Sequence, residues 1–229
     1  MRMMVAFEKG PELRHIGHLD LMRTMQRALR RSGLPIKYSN GFNPHIRLSF
    51  AAPLSVGVVG LREMMEVPVE DGLSGQAFMQ SMNAALPDCL QIRACRAVGD
   101  DFPTLMSLVA GSRYTIRFGQ STDGKKAVEA LDGFMALSEY IAVRRTKSGE
   151  NPCDIRAFVK SAALETDGGG YAIHLETVCT DAGALKPSLW MDCLCQFAGV
   201  EPFARVIYRD AILARGKQGA LVPMEELKA

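Results

Sequence analysis

Three of the four histidines, His15, His18 and His45, lie in HIGHLDLMRTMQRALRRSGLPIKYSNGFNPHIRLSF, residues 15–50, beside four arginines at helical spacing and a turn-rich loop. Imidazole titrates near neutrality, so His15 and His18, with the phenol of Tyr38, are the candidates for acid–base catalysis. The two histidines bracket a predicted helix start, where the dipole disfavours imidazolium. A neutral ring there can accept a proton, donate a hydrogen bond or bind a metal. Asp20, in the first turn, suits the helix terminus or could orient His18 or an arginine. A capping or surface role would equally account for either histidine alone, and the chain contains no complete catalytic constellation.

Arg23, Arg27, Arg30 and Arg31 follow i, i+4, i+7 and i+8 spacing, which gathers guanidiniums on one side of a helix. Like charges so placed repel by a few tenths of a kcal/mol per pair, a cost that a bound anion offsets. Planar guanidinium forks match phosphate or carboxylate bidentately. A solvated face, with Arg30 and Arg31 favoured by the C-terminal dipole, is the alternative. Beyond the helix, YSNGFNPH is a dense turn signal. Asn40, Asn43 and His45 offer hydrogen bonds, Tyr38 and Phe42 offer stacking to an unpaired base, and Lys37 and Arg47 extend the positive rim. Phe42 is also suited to cover the core.

Charge supports this focus. Residues 1–50 hold nine Lys/Arg against three Asp/Glu, residues 51–110 hold three against seven, and the rest is balanced, so the net +2 conceals a basic start. Clustered cations attract polyanions and gain from counterion release. Glu63 and Glu66 could instead pair with the helix arginines and turn the stripe into internal structure. A secondary candidate face is Asp154, Arg156 and Lys160, which alternate along a predicted strand.

The six cysteines contain no CxxC pair, and no histidine is spaced to complete a zinc site, so neither a chain-borne metal nor an iron–sulfur cluster is expected. They are expected to be reduced. The start MRMMVAFEKG lacks the apolar core of a secretory signal, and no apolar run reaches the ~20 residues of a membrane span. The expectation is a cytoplasmic protein without membrane association. Gly168–Gly170 reads as a hairpin rather than a phosphate loop, because no GxxxxGK[ST] motif or following helix accompanies it.

These groups must be held by regular elements. Periodicity predicts a strand over MRMMVAFEK and a helix over residues 18–32 whose Leu19, Met22, Met25, Gln26 and Leu29 share a face. Strands near 34–38, 45–50 and 64–69, a helix over 75–86 and a strand over 90–98 complete a β-α-β-β-α-β order. A second set follows, with strands 112–118, 140–146, 155–165, 171–178 and 204–213 and helices 125–137 and 188–199. The fold expected is α+β, two tandem ferredoxin-like (βαββαβ) domains over residues 1–105 and 106–229.

The run from HIGHLDLMR through SGLP, YSNGFNPH, the APL-x-x-G turn and the acidic strand REMMEV resembles a bacterial family of unknown function, the radical SAM-linked or radical SAM-associated proteins. PCDIRAFVKS at 152–161 extends the likeness, which thins from about residue 180. The resemblance implies a radical S-adenosylmethionine protein as partner, with the iron–sulfur cluster and S-adenosylmethionine carried there and no cofactor on this chain. It implies no reaction.

Three functions follow as expectations. The first is an accessory RNA-binding protein that presents tRNA or rRNA to a radical SAM modification enzyme. Arg23, Arg27, Arg30, Arg31, Lys37 and Arg47 would hold phosphates, and Asn40, Asn43 and His45 a base or phosphate turn. The second is a metal-independent endoribonuclease using His15, His18 or Tyr38, by fold analogy with CRISPR repeat-processing nucleases, whose C-terminal glycine-rich loop YRDAILARGKQG matches poorly. The third is a protein-interaction module docking on the radical SAM partner without nucleic acid.

Overall fold

The computed structural model describes residues 1–146, 149–166 and 168–227, and among them the chain is α+β. The first elements are β1 (Arg2–Lys9), α1 (His18–Arg31), β2 (Ser49–Phe50), β3 (Val58–Pro68), α2 (Gly75–Ala85), β4 (Leu90–Val98) and α3 (Leu105–Leu108). Then come β5 (Val109–Gly119), α4 (Thr122–Ala136), β6 (Ile141–Thr146), β7 (Gly149–Asp154), β8 (Val159–Thr166), β9 (Gly170–Val178), α5 (Pro187–Phe197), β10 (Val206–Arg215) and β11 (Leu221–Pro223). No helix among the described residues is long and apolar enough to cross a membrane.

Contacts divide the chain into two compact units. One joins Met1–Ala110 to the residues from Arg209 onward, and the other is Gly111–Tyr208. The sequence division places the C-terminal segment in the second domain. The structure returns it to the first unit, where Met224 is fully buried and Arg96 bonds the Leu227 carbonyl.

In the first unit, β1 pairs antiparallel with β3 on one side and β4 on the other, and β2 adds to β3 through Ser49↔Glu66 and Phe50↔Met65. β1 reads RMMVAF without alternation because both its faces are covered. Met3, Val5 and Phe7 pack with α1 and α2, while Met4 and Ala6 pack with Met64, Leu105 and Met224. Both faces of the central strand β1 are therefore packed, while helix α1 and the loop after it present exposed side chains.

Helix α1 buries Leu21, Met25, Ala28 and Leu29, an i, i+4, i+7, i+8 stripe. Leu19, expected to face the core, is instead 64% exposed. At 100° per residue Leu19 lies 200° from Leu21, so both cannot face the sheet, and the longer stripe beginning at Leu21 decides the rotation. The helix stops at Ser32 because Gly33 takes the left-handed φ of +68° that suits a glycine C-cap. Residues 34–38 form no strand, only isolated bridges from Ile36 to Val69 and Tyr38 to Ile46, and of residues 45–50 only β2 is regular.

In the second unit, β5, β9 and β8 form an antiparallel run in that order. Phe134 of α4 meets Trp190 and Phe197 of α5 at 5.8 and 5.4 Å, with Trp190 fully buried. A hairpin of β6 and β7 stands as its own two-stranded sheet. The strand expected over 155–165 begins only at Val159, after a 3-10 turn at Arg156–Phe158.

Candidate nucleic-acid interface

The loop ahead of α1 is held from below. Lys9, almost wholly buried, donates from Nζ to the carbonyls of Ile16 at 3.0 Å and Arg14 at 3.4 Å. Burial lowers its pKa, with Glu63 opposing and Arg209 adding to the shift. Glu63 forms a buried two-point pair with Arg209, whose Nε bonds Oε1 at 2.7 Å, and Arg209 also donates to the carbonyls of Pro53 and Ala52. Glu66 accepts Arg2 at 2.6 Å and the Ser49 hydroxyl at 3.0 Å. Both carboxylates that could have neutralised the helix arginines are thus engaged elsewhere.

Arg23, Arg27, Arg30 and Arg31 are all exposed. Arg23 pairs with Asp20 at 3.1 Å, a surface i, i+3 contact worth little. Arg31 donates to the Ala85 carbonyl at 2.7 Å, closing the C-terminal end of α2, so it has structural work. Arg27, Arg30 and Arg47 have no side-chain hydrogen bond or ion pair among the described residues.

Beside this face lies a groove of about 720 Å³. Met22 and Gln26 of α1 form one wall, Lys37 and His45–Ser49 the second, Arg2, Glu66 and Pro68 the floor, and Asp100 and Thr104 complete it. Backbone bonds from Lys37 N to Pro68 O at 2.9 Å and Arg47 N to Lys37 O at 3.4 Å fix the loop wall. Ser39 Oγ accepts the His45 N–H at 3.1 Å and lies 2.7 Å from Nδ1. The Ser39 contact engages Nδ1 and leaves Nε2 as the ring nitrogen of His45 available to a ligand.

The groove thus brings together Lys37, His45 and Arg47, with the arginine face on the neighbouring flank of α1. Asn40 and Asn43 sit exposed on the loop and do not line it, and Phe42 is fully exposed rather than covering the core. His15, His18 and Tyr38 share no hydrogen bond among the described residues. Arg14 donates to His15 Nε2 at 3.1 Å, and the His18 ring packs edge-on against Phe50 at 5.3 Å. Tyr38, half exposed, holds its backbone bridge to Ile46. Gln26, Leu48, Ser49 and Arg2 belong to the groove without any local motif to announce them.

Asp154, Arg156 and Lys160 do not alternate on one strand face, because the 3-10 turn intervenes. Asp154 Oδ1 accepts from the backbone N–H of Tyr140 at 3.0 Å and of Arg156 at 2.9 Å. The Arg156 guanidinium closes the end of α4 through Leu137 O and Met135 O, and Lys160 pairs with Glu176 at 2.8 Å. These bonds hold the second unit's loops together.

A family model described as "uncharacterized protein conserved in bacteria (DUF2344)" matches residues 2–187. The chain belongs to the DUF2344 family. The match covers the whole groove and the arginine face and stops at the first residue of α5, near where the likeness in the sequence thins. No curated protein matches this DUF2344 chain. No group of three or more His, Cys, Asp or Glu side chains among the described residues is placed to hold a metal ion. No disulfide joins the six cysteines. Burial pushes Cys95 up to about 12 and, with Asp192 adding, Cys193 to about 11, far from the thiolate that binds metal or attacks.

Proposed function

We propose that this DUF2344 protein is an accessory RNA-binding protein that holds tRNA or rRNA for a radical SAM modification enzyme. Its partner would carry the iron–sulfur cluster and S-adenosylmethionine. The observation that carries the reading is the uncompensated cationic face of α1 beside the groove: Glu63 and Glu66 are consumed by Arg209 and Arg2, and Arg27, Arg30 and Arg47 are left to solvent. Arg27 and Arg30, guanidiniums on one helix face with no ion pair among the described residues, suit phosphate. The radical SAM partner rests on the family resemblance of the HLDLMR and YSNGFNPH segments.

The architecture that goes with this reading is a pair of ferredoxin-like units. In the first, the order β1-α1-β2-β3-α2-β4 with β1 between β3 and β4 supports a split βαβ arrangement. The second would follow the same order from β5 through α5 with the β6–β7 hairpin inserted, although β10, the strand expected to close it, belongs from Arg209 onward to the first unit.

Filter binding of total tRNA and of rRNA fragments across a salt series tests the reading. The wild type should bind with a steep negative dependence on log salt. Arg23→Glu with Arg27→Glu should weaken binding at least tenfold and flatten the slope by about 1–2, at ~0.7 for each single-strand phosphate no longer neutralised. Unchanged affinity in the double variant sinks the assignment. A second reading, docking of this face on an acidic surface of the partner, is favoured by one detail, the exposed Leu19 on α1. A pull-down of the radical SAM protein that fails with Leu19→Ser, with no RNA bound, would select it.

A further inference from the structure

Resting on the RNA reading, we infer that the groove takes one unpaired nucleotide turned out of the strand, its base between Met22 and Leu48 and its phosphate at Lys37 and Arg47. A track for unbroken sugar–phosphate backbone would carry cations along its length. This lining instead includes the apolar side chains of Met22, Ile46, Leu48 and Pro68 together with two carboxylates, Glu66 and Asp100. Glu66 is paired with Arg2 at 2.6 Å, and Asp100, exposed at the rim, lies 3.6 Å from the Met1 ammonium, so the lining holds carboxylates already matched to their own cations rather than a continuous row of cations for a phosphate backbone. An uncharged, flat, partly apolar body with a single anionic attachment fits such a lining, and a nucleobase is that body.

Size and polar groups agree. At about 720 Å³ the groove lies in the range of small-ligand sites, which bury an apolar body against a few oriented polar groups. Ser49, Thr104 and Gln26 supply hydroxyls and an amide for a base edge, and His45, with Nδ1 held by Ser39, lines the groove beside Lys37 and Arg47 with Nε2 to offer. A duplex has no base free to enter, so the inference requires preference for single strands. Phe42, fully exposed on the same loop, is placed for stacking on a flanking base, which gives the ordered loop a reason to show an aromatic ring to water.

The test uses the whole protein and three probes labelled alike: a short single-stranded RNA of mixed sequence, the same RNA annealed to its complement, and an abasic ribose–phosphate strand of equal length. The single strand should bind at least tenfold tighter than either other probe, the loss expected when one stacked base is removed. Met22→Trp, which fills the groove from the helix wall, should abolish that preference and keep the salt slope. Gln26→Phe does the same from the next turn if the first variant fails a thermal melt. Equal binding of all three probes with a steep salt slope would overturn the inference and leave the RNA reading standing. No binding of any probe by the folded wild type would overturn both.

Discussion

Arg209 and Glu63 are a fully desolvated pair inside the first unit, and their geometry depends on a missing atom. A Cβ on Gly60 would stand 2.5 Å from Glu63 Cγ, so glycine there is what lets the carboxylate lie flat against the strand toward Arg209. Removing one partner of a buried pair leaves the other charge without compensation, which costs about 3–5 kcal/mol. Glu63→Ala should therefore lower the stability of the first unit by that amount in urea denaturation, more than Arg23→Ala, whose surface pair with Asp20 is worth at most ~1 kcal/mol. The two effects compared in one titration separate structural from solvent-facing charge. Thiols give a second check at this scale. Cys95, Cys193 and Cys195 all have pKa values raised by burial, so they should stay unmodified by Ellman's reagent at pH 8 until denaturant is added, while half-buried Cys89 and Cys153 react first.

Elements translate these residues into positions, and some of their signals are local while others are not. The strand β1, helix α1 and its glycine stop stand clear in the sequence because each rests on local pattern: an apolar run, a 3.6-residue stripe, a residue free to take positive φ. The rotation of α1 is ambiguous in sequence because Leu19, Met22, Met25, Gln26 and Leu29 form a second stripe overlapping the true one at Met25 and Leu29. Packing against the sheet chooses between them, and that choice puts Leu19 among the arginines and Met22 and Gln26 at the groove. The arginine face is legible from spacing alone, but the groove is not, since its walls come from residues as far apart as Arg2 and Thr104. Asp154, Arg156 and Lys160 mislead because an i, i+2 charge alternation looks the same whether it runs along a strand or across a 3-10 turn. Of the three, Lys160 has a measurable consequence through its partner. Burial alone would raise the Glu176 pKa, but hydrogen bonds from Lys160 and Arg113 outweigh it and hold it below the ordinary 4.5. A carboxylate with a depressed folded-state pKa stabilises the fold above its unfolded value and loses that contribution as pH falls through the folded one. Thermal melts should drop as pH is taken below 4.5, and Glu176→Gln should start from a lower melting point at neutral pH and lose less on acidification.

At the scale of the chain, the first unit is finished by residues that follow the second in sequence, and this decides where a partner can bind. Met4, Ala6 and Met64 would face water if the first unit ended at its own last helix, giving an apolar sheet surface of the kind that aggregates or binds. Met224 and Leu227 close it, tied down by Arg62 to Glu225 at 3.2 Å and by Arg96 to the Leu227 carbonyl. With that face packed, the basic helix and the loop of residues 37–49 remain among the exposed surfaces of the unit. Met224→Ala should then destabilise the first unit by about 2–5 kcal/mol, the cost of emptying a buried methionine site, without touching the RNA face. Measured at a temperature where the variant is still folded, its RNA affinity and salt slope should equal the wild type's. If Met224→Ala instead weakened RNA binding as strongly as Arg23→Glu with Arg27→Glu, the closed sheet face rather than the arginine helix would be the surface that meets the ligand.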